Sequence, residues 1–156
     1  MKTVLKKSKL KFIQSWVFPQ DVITFIKEYL IPTYNINEEQ LCHVFCGQSK
    51  IGYPRIDIEP NNNPDIIEDC LQLPLVLGLG TQKWTLADPP WEISYPQRRA
   101  FSYALRDITE IGGLVIINAP WSPWVKGLEL VDVVKVVQNF NSYRDLVDFW
   151  IFKRIE

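Results

Sequence analysis

The sequence predicts an α/β domain built on an open, mostly parallel sheet that closes with an antiparallel hairpin. Three features predict it. Short, largely apolar runs at 41–45, 84–87 and 114–117 each stop at a turn or at polar residues, as strands buried inside a sheet do. Between the second and third, Ala100, Phe101, Ala104, Leu105 and Ile108 recur at helical spacing, so a helix over about 97–110 separates two strands. At the end of the chain, 130–137 and 146–153 read as strands parted by Asn139, Asn141 and Ser142, which is a hairpin pattern. At 156 residues one domain is the default, large enough to bury roughly 70 per cent of its unfolded surface.

The elements follow in order. Lys2, Lys6, Lys7, Lys9 and Lys11 alternate with Val4, Leu5, Leu10 and Phe12, which reads as a solvated strand or arm, or as lysines that meet phosphates. Residues 19–30 place Val22, Phe25, Ile26 and Tyr29 on one stripe of a helix. Residues 1–37 form this arm and helix, and 38–156 the core. The run Leu41, Cys42, His43, Val44, Phe45, Cys46, Gly47 is a buried strand entering a glycine turn, with His43 expected as a hydrogen-bonded core residue. A second short strand, Arg55 to Glu59, follows too soon for a helical crossover, which needs a dozen residues or so. Either the 48–53 loop makes an unusually short connection or the second strand is misplaced; in the first case the 19–30 helix is expected to cover the sheet face left bare. A loop at 61–64 leads to a third short strand over 65–71, and Gly112 and Gly113 are expected to end the 97–110 helix.

Bulk properties exclude more than they assign. Charged residues are 22 per cent with a net charge of −1, so any nucleic-acid contact must be local rather than a global basic excess. No apolar run reaches the roughly 18 residues of a membrane span, and the lysine-rich start lacks a signal-like apolar core; a soluble cytoplasmic protein that binds no membrane is expected. Cys42, Cys46 and Cys70 are an odd set, which argues against a disulfide framework. Cys42, His43 and Cys46 lack a second ligand pair, and no metal site is expected.

The chemistry centres on Asp88, Pro89, Pro90, Trp91, directly after the 84–87 run. Ligands of open α/β sheets bind outside the carboxyl ends of the strands. Two prolines cannot donate ladder hydrogen bonds, so the strand stops and their carbonyls are free to accept. Trp91 offers a face for a planar group. Asp88 and a proline carbonyl would accept the two N–H bonds of an amino group on an aromatic ring, which points to attack by that nitrogen.

The tetrapeptide resembles the fourth motif of the amino-methyltransferases that use S-adenosylmethionine, in the Asp and Trp version that looks most like the N6-adenine nucleic-acid enzymes. The resemblance runs from about Leu41 to the C-terminus. It implies a Rossmann-like class I methyltransferase sheet, seven-stranded and mostly parallel with its last strand inserted antiparallel, here abbreviated after the first strand. It implies catalytic roles for Asp88, Pro89, Pro90 and Trp91. The cofactor would be held by the glycine turn (Phe45, Cys46, Gly47), by Asp57 with Ile58 at the ribose (Glu59 as the fallback), and by Asp69 with Cys70 and Leu71 at the adenine. Gln48, Ser49 and Lys50 would border the methionine end. Arg98 and Arg99, with Lys126, lie near the same face and would meet substrate phosphates. Trp121 and Trp124 lie in a proline-flanked loop after the strand ending at Asn118, and one of the two is the candidate to meet a base. The expected substrate is the N6 amine of adenine in DNA or RNA; the alternatives are cytosine N4 or a protein glutamine, or a non-catalytic partner-binding module. No target-recognition domain is evident, which leaves three alternatives open: a partner subunit, a homodimer, or loose reading of the substrate.

Overall fold

The computed structural model describes residues 2–4, 9–10, 20–90, 92–140 and 143–156. Two short strands, β1 (Lys2–Val4) and β2 (Lys9–Leu10), come first. A helix follows as α1 (Gln20–Phe25), a π-helical turn (Ile26–Leu30) and α2 (Ile31–Thr33). Pro32 accounts for the wide turn: it has no N–H for the carbonyl one turn back and its ring crowds that carbonyl, and the i→i+5 bond from Ile31 N–H to the Ile26 carbonyl makes room. The parallel core is β3 (Leu41–Val44), β4 (Arg55–Asp57), β5 (Ile66–Ile67), β6 (Gln82–Ala87) and β7 (Thr109–Asn118). The short helix α3 (Leu73–Val76) precedes β6, and α4 (Tyr95–Ile108) joins β6 to β7. The hairpin of β8 (Leu128–Phe140) and β9 (Tyr143–Arg154) closes the fold.

The sheet runs β1-β8-β9-β7-β6-β3-β4-β5, with β2 also on β8. Only β9 is antiparallel, and it lies between β7 and β8. The chain steps outward from β3 to β5, then returns to β6 on the other flank of β3, so the strand order reverses between β3 and β6. That reversal opens a crevice at the carboxyl ends of β3 and β6.

Alternation along the strands feeds two cores. Leu41, Trp84, Leu86, Ile116, Phe149 and Ile151 face the N-terminal helix, whose Val22, Phe25, Ile26 and Leu30 are buried. Cys42, Val44, Ala87, Val115, Ile117 and Phe152 face α4 and its Phe101, Ala104, Leu105 and Ile108. The stripe read at 19–30 thus covers the face that a crossover helix after β3 would otherwise occupy.

The connection after β3 is the short one. His43 and Val44 pair with Arg55 and Ile56 in parallel, and residues 45–54 return with no helix. The return lies against β3 itself: His43 N–H donates to the Pro54 carbonyl (2.9 Å), Tyr53 N–H to the Leu41 carbonyl (2.8 Å), and His43 Nδ1 lies 2.9 Å from the Ile51 carbonyl.

Two expectations need correction. The third strand is only Ile66–Ile67; Asp69, Cys70 and Leu71 belong to a tight turn that Asp69 caps, its carboxylate accepting from Leu71 N–H at 2.9 Å. Gly112 and Gly113 do not end α4. The helix stops at Ile108, where Thr109 turns extended and its hydroxyl bonds back to the Leu105 carbonyl (2.8 Å). Both glycines lie inside β7, where the pairing jumps from Thr109 opposite Gln82 to Leu114 opposite Trp84, and Gly112 takes φ +87° in that irregularity.

Candidate active site

β6 ends where its sequence stops offering donors. Asp88 N–H still reaches the Val44 carbonyl at 3.3 Å, and then come Pro89, which is buried, and Pro90. Trp91 lies outside the described residues. Asp88 is partly buried at the crevice, and its Oδ1 accepts from Asn118 Nδ2 at 3.1 Å. Asn118 is the last residue of β7, paired with Phe149 of β9; its own Oδ1 is buried with no partner among the described residues. Burial pushes the Asp88 carboxyl up to about 7, against the pull of the Asn118 hydrogen bond. Sequence reasoning placed Asn118 only as a strand end. The signal available was an amide closing an apolar run, beside the end of the strand that carries Asp88.

A cleft of about 90 Å³ lies at the ends of β3, β4 and β5, lined by Phe45, Asp57, Ile58, Glu68, Asp69 and Cys70. Of the residues expected around the cofactor, this cleft gathers Phe45, Asp57, Ile58, Asp69 and Cys70. Cys46 is buried with its thiol toward the Gly47 carbonyl, and Leu71 is half-exposed on the turn. Gly47 acts through its backbone: its N–H donates to Asp57 Oδ2 (2.8 Å), while Asp57 Oδ1 accepts from Glu59 N–H (2.9 Å). Asp57 therefore clamps the glycine turn to β4. Glu59 is exposed and accepts from Asn61 N–H at 3.0 Å. Within the loop, Ser49 N–H donates to the Cys46 carbonyl and Ile51 N–H to Ser49 Oγ. Gln48 and Lys50 are exposed and Ser49 is buried. Phe45 sits at φ +57°, a conformation that costs a bulky residue about 1–2 kcal/mol and that clusters at functional sites.

Phe45 also leads outward. Its ring meets Phe101 edge-on at 5.6 Å between centroids, and Phe101 meets Trp121 at 5.8 Å. Beyond lies a second cavity of about 110 Å³, lined by Tyr95, Arg98, Arg99, Ser102, Trp121 and Trp124 among others. The four expected substrate residues are therefore together. Lys126 is exposed and does not line the cavity. Trp124 is 52 per cent exposed, with its Nε1 donating to the Leu128 carbonyl at 2.8 Å.

The other reactive groups are inert. Burial pushes the Cys42 thiol up to about 12, Cys46 to about 11 and Cys70 upward as well, so none is a thiolate nucleophile. His43 is fully buried and its pKa is lowered to about 4 by desolvation. Among the described residues no three His, Cys, Asp or Glu side chains are grouped to hold a metal ion. No helix among them is long and apolar enough to cross a membrane.

A parallel sheet reversing at β3 and β6, with β9 inserted antiparallel, is the class I methyltransferase fold, abbreviated after its first core strand. Solved structures with this architecture include TrmN from Thermus thermophilus, at 13 per cent identity and TM-score 0.60, covering 82 per cent of this chain and 48 per cent of TrmN. This chain thus spans about half the length of TrmN. The proposed methylase HI0767 from Haemophilus influenzae is similar over 88 per cent of this chain and 98 per cent of its own, at 9 per cent identity and TM-score 0.56. The proposed methyltransferase YhhF from Escherichia coli matches over 83 and 84 per cent respectively, at 12 per cent identity and TM-score 0.53. At these identities the likeness is one of fold. No protein-family model matches the sequence, and no curated protein matches it.

Proposed function

We propose that this chain transfers a methyl group from S-adenosylmethionine to an exocyclic amine of a nucleic-acid base, with adenine N6 as the acceptor. The observation that carries the reading is Asp88, anchored by Asn118, followed by Pro89 and Pro90 at the reversal point of a methyltransferase-type sheet. The cleft at β3 to β5 fits one end of the cofactor. At about 90 Å³ it is smaller than a whole drug-sized pocket of roughly 300–1,000 Å³, and Phe45 and Ile58 give its lining apolar surface for a flat group. Its rim carboxylates, Asp57, Glu68 and Asp69, are acceptors for the hydroxyl and amino donors of an adenosine.

The cofactor supplies a methyl on a positively charged sulfur, a good leaving group, so orientation does most of the catalytic work. Asp88 and the Pro89 carbonyl accept the two amine N–H bonds and turn the nitrogen lone pair out of the ring toward the methyl. An amine that took up the methyl group would have to shed a proton, and the Asp88 carboxylate, with a pKa of about 7, is suited to accept it. In duplex nucleic acid the base must first be flipped out, at a cost of a few kcal/mol.

The test is incubation with methyl-labelled S-adenosylmethionine and duplex DNA, single-stranded DNA or RNA, followed by digestion to nucleosides. Label is expected in N6-methyladenosine or its deoxy form. It should fall at least about a hundredfold in Asp88→Ala, within the usual range for losing one acid–base group, with cofactor affinity little changed. Label in N4-methylcytosine or in protein would reassign the acceptor; cofactor binding without any label would favour a non-catalytic module.

A further inference from the structure

We infer that the cavity between α4 and the 119–125 loop is a phosphate-binding site that holds a phosphate ester of the nucleotide whose base is presented to Asp88. That the nucleotide is a methyl acceptor rests on the function proposed above; the site itself rests on Arg98, Arg99, Ser102 and Trp121.

The two arginines are fixed in place without being neutralised. Arg98 Nε donates to the Ile93 carbonyl (3.0 Å), which lays the guanidinium over the Trp121 ring at 4.7 Å. Arg99 donates to the Tyr103 hydroxyl at 3.2 Å and the Tyr95 hydroxyl at 3.5 Å. Among the described residues neither has a carboxylate partner, whereas Arg55 and Arg106 are paired with Asp65 and Asp107. Arginine held by neutral acceptors keeps its full charge and free donors for a ligand.

Two more residues of the same lining carry buried polar groups without a partner among the described residues. Ser102 is 1 per cent exposed, and its Oγ has no hydrogen-bond partner among the described residues; Trp121 Nε1 is buried and equally unpartnered. Both residues line the cavity. A buried polar group left unsatisfied costs about 1–3 kcal/mol, so such a pair in the lining of one cavity is a reason to look for a ligand there.

The chemistry selects the ligand. Guanidinium and indole N–H are donors only, a serine hydroxyl can donate, and no carboxylate lines the cavity, so the site calls for an oxyanion. Its donors come from a helix on one side and a loop on the other. That arrangement serves a tetrahedral group with oxygens on several sides better than a planar carboxylate with two. The exposed Tyr95 and Trp124 flank it with surfaces on which a neighbouring base could stack.

The experiment follows the Trp121 indole N–H by NMR, assigned with Trp121→Phe, during titration at constant ionic strength with inorganic phosphate, deoxyadenosine 5′-monophosphate and deoxyadenosine. Phosphate and the monophosphate should move the resonance and saturate it, and deoxyadenosine should not. Ser102→Ala and Arg98→Gln should each weaken binding about tenfold, with Arg98→Lys as the second variant if the glutamine does not fold. No movement with either phosphate, equal movement with deoxyadenosine, or wild-type titration of the folded variants would overturn the site. Methyl transfer is scored separately. Label without the Trp121 response removes the phosphate site and leaves the function; the response without label leaves an anion site and removes its link to a methylated nucleotide.

Discussion

At Asp88 the carboxyl titrates near pH 7, and this has opposite effects on rate and stability. Accepting the amine requires the carboxylate, so single-turnover methyl transfer is expected to climb with pH and level off above about 7, as a pH–rate profile would show. For stability, an unfolded Asp loses its proton near pH ~3.9 but folded Asp88 keeps it to about 7. The folded state therefore binds the extra proton in between, and this contribution falls as pH rises from about 4 to about 7. His43 works the other way: it is neutral down to about pH 4 when folded and protonates near 6.5 when unfolded, so its contribution rises with pH between those values. From about pH 4 to 6.5 the two slopes cancel. Asp88→Asn removes one of them, and urea denaturation of this variant should show stability rising across that window by up to about 3 kcal/mol more than in the wild type. A variant whose pH dependence matches the wild type would sink the account. Asp88 was legible because the residues that stop the strand are its neighbours in sequence. Asn118 was not, because thirty residues separate it from Asp88 and only the pairing of β6 with β7 brings them together.

The connection between β3 and β4 shows the same limit at the level of elements. Counting residues after Gly47 exposed a conflict with a helical crossover, yet the solution depends on backbone contacts that no residue pattern announces. The returning chain passes so close to β3 that a Cβ on Gly52, which has φ +85°, would lie 2.3 Å from the Leu41 carbonyl oxygen. Gly52→Ala is accordingly expected to destabilise by roughly 3 kcal/mol or more, combining a clash with left-handed strain, and thermal or chemical melts would measure it. A loss under 1 kcal/mol would mean the loop can move off the strand. The glycine pair at 112–113 misled for a related reason. Glycine commonly follows helix ends, but here Thr109 ends the helix and Gly113 is needed where a Cβ would come 2.6 Å from the Lys83 carbonyl oxygen.

Across the whole molecule, a mostly parallel sheet and a closing hairpin were readable from apolar runs and turn residues; the parallel pairing of β1 and β2 with β8 was not, since polar-alternating lysines suit an arm equally well. Net charge near zero leaves electrostatic binding to the site itself. If Arg98 and Arg99 provide the phosphate contacts, log affinity for single-stranded DNA should fall against log salt with a slope between about −1 and −2, by fluorescence anisotropy across a chloride series. A slope near −5 would place the N-terminal lysines on the nucleic acid as well. The position of β9 reaches further than packing. It is formed by Tyr143–Arg154, lies between β7 and β8, and aligns Asn118 opposite Phe149. On a chain emerging from the ribosome, Asn118 thus gains its strand partner Phe149 only after Tyr143–Arg154 has cleared the exit tunnel, and until then β7 presents an open edge beside the residue that anchors Asp88.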